Sequence, residues 1–68
     1  MKATLHANGE RVTIDLPCTL ETFLVQQGQP PRSVVVERNG EAVAPSEFAG
    51  IGLVDGDRLE IVRIVAGG

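Results

Sequence analysis

The 68-residue sequence closes on Gly67-Gly68. Read as a C-terminus, that pair places a free carboxylate on Gly68, and an activated carboxylate is an acyl donor. Without Cβ atoms the two glycines adopt almost any backbone conformation and enter channels too narrow for other residues. Counted from Val65 the tail is four residues long, and such a segment reaches roughly 13 Å when extended. That length suits delivery of a carboxylate into another protein's active site. The competing reading is a frayed end that happens to finish in glycine. Chance alone produces that end in about one chain in 200, so the rest of the chain has to support the chemistry.

Other reactive side chains are few. Cys18 is the only cysteine, which rules out an intramolecular disulfide and a four-cysteine zinc or iron–sulfur site. A small apolar residue beside a helix start is favoured for it over a reactive thiol, because free cysteines are usually buried. His6 stands without Asp, Glu or Cys at metal-ligand spacing and reads as a strand residue. No acid–base pair, metal cluster or nucleophile with a partner appears. The expectation is a chain with no catalytic residues, no metal and no bound cofactor: a carrier or partner rather than an enzyme.

Composition narrows the class further. A chain of this length is one domain and buries about 60% of the surface that it exposes when unfolded. With two Phe, no Trp and no Tyr, its core is aliphatic, with little room for a deep cofactor pocket. The net charge is −3, with six basic residues scattered among nine acids, which argues against nucleic-acid binding. An acidic carrier is still suited to docking on a basic partner surface. Lys2 is the only lysine against five arginines. An arginine-rich codon bias is favoured as the reason over protection from self-acylation. The alternation over Lys2 to Glu10 is unlike a signal peptide, and no segment has the length of a membrane span. The expectation is a soluble, cytoplasmic protein that does not engage membranes.

The elements that must position the tail follow from periodicity. Ala3, Leu5 and Ala7 share one parity, Asn8-Gly9 signals a type I′ turn, and Val12, Ile14 and Leu16 continue the apolar side. This is a β-hairpin closed by Pro17. Thr19 is an N-cap candidate, Glu21 sits in the first turn, and Leu20, Phe23, Leu24 and Gln27 recur at helical spacing. These predict a helix over roughly 19–27, stopped by Gly28 and Pro30-Pro31. Val34-Val35-Val36 reads as a buried strand. Asn39-Gly40 turns it into Ala42-Val43-Ala44, and Pro45 to Phe48 reads as one helical turn that tucks Phe48 inward. After the turn Asp55-Gly56-Asp57, the last strand runs from Arg58 to Val65 and feeds the diglycine. Four or five strands with one helix fit an α+β, β-grasp arrangement, a mixed sheet wrapped over the helix with the last strand in its middle. The domain reading is a body over 1–65 and a flexible reactive tail over 66–68.

Several stretches carry a family resemblance over the whole length. They are Thr19-Leu20-Glu21-Thr22-Phe23-Leu24, Val36-Glu37-Arg38-Asn39-Gly40-Glu41, Val43-Ala44-Pro45-Ser46-Glu47-Phe48, the run from Asp55 to Val62, and Val65-Ala66-Gly67-Gly68. The sequence resembles the ubiquitin-like sulfur carriers of the ThiS/MoaD family, most closely the ThiS branch that serves thiamine thiazole biosynthesis. The resemblance implies that an E1-like (ThiF-like) adenylyltransferase uses ATP to activate the Gly68 carboxylate. Sulfur from cysteine, mobilised by a cysteine desulfurase, then gives a thiocarboxylate. It further implies that a ThiG-like thiazole synthase receives that sulfur. Ala66 departs from members with a third glycine there, a change small enough to keep activity.

Parity on the last strand adds a docking expectation. Leu59 and Ile61 should face the helix, leaving Val62 and Ile64 on the open face beside the tail. They form either a docking patch for partner enzymes or ordinary surface scatter, unless a bulge near Ile61 turns Val62 inward. Alternatives to the leading function are a MoaD-like carrier for molybdopterin or cysteine synthesis, a ubiquitin-like modifier joined to lysines, and an interaction module with an inert tail.

Overall fold

The computed structural model describes residues 1–64. Asn8 and Gly9 both take positive φ, +52° and +82°, the backbone that a two-residue type I′ turn demands. That turn joins β1 (Lys2–Ala7) to β2 (Glu10–Asp15) in a register that places Ala7 opposite Glu10 and Leu5 opposite Val12. The Leu16 N–H donates to the Met1 carbonyl at 2.7 Å, which carries the pairing one residue past β2.

The helix α1 spans Leu20–Gln26. Thr19 caps it as expected, its Oγ1 accepting from the Thr22 N–H at 3.1 Å, which satisfies a donor that the helix itself cannot. Gly28 ends it at φ +73°, with the Gln29 N–H donating to the Leu24 carbonyl. Pro30-Pro31 do more than stop the helix: Pro31–Ser33 form a 3₁₀ turn. The chain then enters β3 (Val34–Arg38), turns through Asn39-Gly40 at φ +52° and +87°, and returns as β4 (Glu41–Val43). A second 3₁₀ turn, Pro45–Gly50, buries Phe48 as the sequence predicts. Strand β5 is Arg58–Arg63.

The five strands form one mixed sheet in the order β2-β1-β5-β3-β4. The last strand is therefore central, parallel to β1 and antiparallel to β3. Helix α1 presents Leu20, Phe23 and Leu24 to one face of the sheet, where they join Leu5, Val34, Val36 and Leu59 in the core, with Phe48 and Leu53 at its side. Burial of each such side chain contributes about 1.5–3 kcal/mol relative to exposure. The expectation that Val34-Val35-Val36 is buried throughout does not hold. Val34 and Val36 are 1% and 0% exposed, but Val35 is 48% exposed. One face of this sheet is uncovered, so the pleat sends the middle valine to solvent.

Candidate functional site: the last strand and the open face

Four separate contacts hold β5, the strand that leads to the tail. At its start, the Asn39 N–H donates to the Arg58 carbonyl at 2.8 Å and the Arg58 N–H donates to Asn39 Oδ1 at 2.9 Å. In the middle, Asn8 does the work of a strand residue after β1 has ended. Its N–H donates to the Leu59 carbonyl, its Nδ2 donates to the Ile61 carbonyl at 3.1 Å, and its Oδ1 accepts from the Ile61 N–H at 2.7 Å. At the tail end, the Ile64 N–H donates to the Ser33 carbonyl at 2.7 Å.

The fourth contact lies just before the strand. Asp57, only 2% exposed, accepts from the Val54 N–H, Asn39 Nδ2, and Arg38 Nε and Nη2, all within 3.2 Å. Burial alone raises the Asp57 pKa, but the bonds from Val54, Asn39 and Arg38, with the Arg38 charge, outweigh it and hold the carboxyl below its usual range. The Asp55-Gly56-Asp57 turn is thus also an anchor that ties the root of β5 to the end of β3. The sequence identifies this stretch as a turn and gives no sign of the burial, because Asp57 finds its partners 18 and 19 residues away.

The expected facing of the strand is observed. Leu59 is buried and Ile61 partly buried, while Val62 and Ile64 are 62% and 53% exposed. Pairing with β3 is continuous through Val36↔Ile61 and Val35↔Val62, so no bulge turns Val62 inward. Val35 therefore stands directly opposite Val62 on the open face, a neighbour that parity on β5 alone does not reveal. The remaining expected site residues, Ala66, Gly67 and Gly68, lie outside the described residues, as does Val65.

The other reactive candidates stay in structural positions. Cys18 is buried, its Sγ donating to the Thr19 carbonyl at 3.4 Å, and burial pushes the thiol pKa up. His6 lies in β1 with a buried Nδ1 that has no hydrogen-bond partner among the described residues. Among the described residues no group of His, Cys, Asp and Glu is placed to hold a metal ion, and no helix is long and apolar enough to cross a membrane. A groove of about 520 Å³ opens between the helix start and the two 3₁₀ turns, against Pro30, Pro31, Pro45 and Phe48. No residue of β5 lines it.

Comparison with known proteins gives this geometry a context. The model of the ThiS family matches residues 4–68. The crystal structure of the thiamine biosynthesis protein ThiS from Geobacter metallireducens superposes with a TM-score of 0.80 at 28% identity, covering 96% of this chain and 99% of that one. A designed protein based on human erythrocytic ubiquitin shares the fold, with a TM-score of 0.58 at 19% identity over 98% of this chain and 95% of its own. A thiazole synthase of Paramagnetospirillum magneticum is 43% identical over 64 residues, 94% of this chain and 20% of its own length. One of Magnetococcus marinus is 34% identical over the same shares. The chain thus spans about a fifth of the length of these curated relatives.

Proposed function

The chain belongs to the ThiS family, a thiamine-biosynthesis family of sulfur carriers with the ubiquitin-like β-grasp fold, and on that premise we propose that it carries sulfur on Gly68 for thiazole formation. The observation that carries this reading is the family match through residue 68, joined to a central strand whose register is pinned up to Ile64. A pinned strand gives a reactive end a defined point of departure, which lowers the orientational cost of entering a partner's site.

In the proposed chemistry an E1-like adenylyltransferase joins the Gly68 carboxylate to AMP and releases pyrophosphate from ATP. A carboxylate is a poor electrophile, and adenylation supplies a leaving group. A cysteine desulfurase turns cysteine into alanine and holds the sulfur as a persulfide, whose outer sulfur displaces AMP, which departs with one carboxylate oxygen. The thiol of a second cysteine molecule then cleaves the S–S bond of the resulting acyl disulfide and supplies the two electrons. The resulting thiocarboxylate is ionised at neutral pH and nucleophilic, as thiolates are. A thiazole synthase then accepts the sulfur. That two relatives named thiazole synthase contain a segment like this chain supports the pairing. The carrier acts as a co-substrate: it supplies position and access, while its partners supply catalytic groups and use the ATP. Residues 66–68 serve as the reactive tail of a body formed by 1–65, and Val62 and Ile64 contribute to docking.

The test is the intact mass of the chain after incubation with an E1-like adenylyltransferase, ATP, a cysteine desulfurase and cysteine. Replacement of oxygen by sulfur has the same nominal mass as oxidation of Met1 or Cys18, so fragmentation must place it at Gly68. A thiocarboxylate on Gly68 is the expected product. An unmodified Gly68 with a competent enzyme set would reject the carrier reading.

A further inference from the structure

The open face of the sheet is banded across its strands. Arg11 on β2, His6 on β1 and Arg58 on β5 are successive Cα partners, and the two arginines, both exposed, make this row basic. One step along β5 toward the tail, Glu60 stands directly opposite Glu37 on β3. One further step brings the exposed apolar pair Val62 and Val35. The order toward the tail is basic, acidic, apolar.

The acidic band is the unusual one. Cross-strand partners lie about 5 Å apart, and like charges directly opposite are destabilising. The ion pairs among the described residues are Lys2–Asp15 and Arg38–Asp57, so neither glutamate is neutralised by one. An incoming cation would relieve the repulsion, and the apolar pair beside it would lose contact with water in the same event.

We infer that this face docks on a thiazole synthase through a surface that seats a lysine or arginine between Glu37 and Glu60 and an apolar side chain on Val35 and Val62. Acidic groups of the same surface meet Arg11 and Arg58. The inference rests on the carrier reading above and names the recognition chemistry of its acceptor. Because the bands differ in sign, a reversed orientation brings like charges together, and the docked carrier points its tail one way only. A synthase is favoured as occupant because the relatives join a segment like this chain to the rest of a thiazole synthase in one polypeptide, where tethering keeps the two surfaces at high effective concentration. A second copy of this chain fits less well. A two-fold pairing that sets the basic row of one copy on the acidic pair of the other leaves Val35 and Val62 uncovered.

Glu60→Lys tests this in a way that separates docking from folding. It converts a like-charged cross-strand pair into an opposite-charged one, so the variant should melt no lower than the parent. Its affinity for a purified thiazole synthase lacking a carrier segment of its own, measured by titration calorimetry at two salt concentrations, should fall about tenfold or more. Arg11→Glu with Arg58→Glu should weaken binding similarly. Unchanged affinity in Glu60→Lys would overturn the inference. So would a parent that forms the Gly68 thiocarboxylate but does not bind the synthase, or a parent that dimerises in sedimentation through this face. A parent that neither binds nor becomes thiocarboxylated would overturn the inference and the carrier reading together.

Discussion

The carboxamide of Asn8 and the backbone of Ile61 form a two-bond pair, Nδ2 to the Ile61 carbonyl at 3.1 Å and the Ile61 N–H to Oδ1 at 2.7 Å. Asn8 sits in the left-handed region at φ +52°, where the chain has already left β1 for the hairpin turn. Its side chain stands in for a strand neighbour that β5 would otherwise lack on that side. The same residue thus makes the turn and extends the ladder.

Asn8→Gly separates those roles. Glycine keeps the positive φ but removes both bonds, so the fold should lose about 1–3 kcal/mol. In a domain of this size that corresponds to a fall in Tm of about 4–8 °C per kcal/mol. Denaturant unfolding followed by far-UV circular dichroism reads it. A variant as stable as the parent would show that solvent replaces the carboxamide at no cost.

Asp57→Asn replaces a carboxylate that receives four donor groups with an amide that has only one acceptor. We expect a loss of about 2–4 kcal/mol, below the range for a fully buried ion pair because the Arg38 side chain is 28% exposed. The pH dependence carries the same signature. The folded-state pKa of Asp57 lies below its ordinary value of 3.8, so its contribution is complete above that value. It disappears as pH falls through the folded-state pKa. Urea midpoints measured between pH 6 and pH 2 should show the parent losing this contribution at the acid end, with the asparagine variant lacking that component.

Cys18 should behave as a core residue. With its pKa raised by burial, little thiolate is available, and native protein at pH 7.5 should react with iodoacetamide far more slowly than urea-unfolded protein. Cys18→Ala should retain Gly68 thiocarboxylation in full. Loss of that product in a folded variant would assign the thiol a place in sulfur transfer.

Val62→Glu and Ile64→Glu change exposed side chains, so each should alter stability by no more than about 0.5 kcal/mol. Adenylation should nonetheless fall steeply, measured as pyrophosphate release with the activating enzyme. Unimpaired adenylation in both folded variants would remove this patch from the docking surface.

Deletion of Gly67-Gly68 should leave the melting curve unchanged and abolish thiocarboxylate formation. Full activity of the truncated chain in thiazole formation would support an interaction module with an inert tail.

Much of this protein is determined locally and is therefore visible in the sequence. Asn8-Gly9 and Asn39-Gly40 make their turns because few other residues tolerate positive φ. Thr19 caps the helix through a bond to a residue three positions away. Leu59 faces in and Val62 faces out because strand side chains alternate. The diglycine is chemical information that needs no fold to be read. The tertiary structure decided what depends on partners distant in the chain. Only the register of β3 on β5 sets Val35 beside Val62 and Glu37 beside Glu60, and only the burial of the turn before β5 makes Asp57 a hub for Arg38 and Asn39. Asn8 reaches Ile61 across 53 residues. Such pairings are set by how elements stack and align, and a period read along one strand contains no term for the strand beside it.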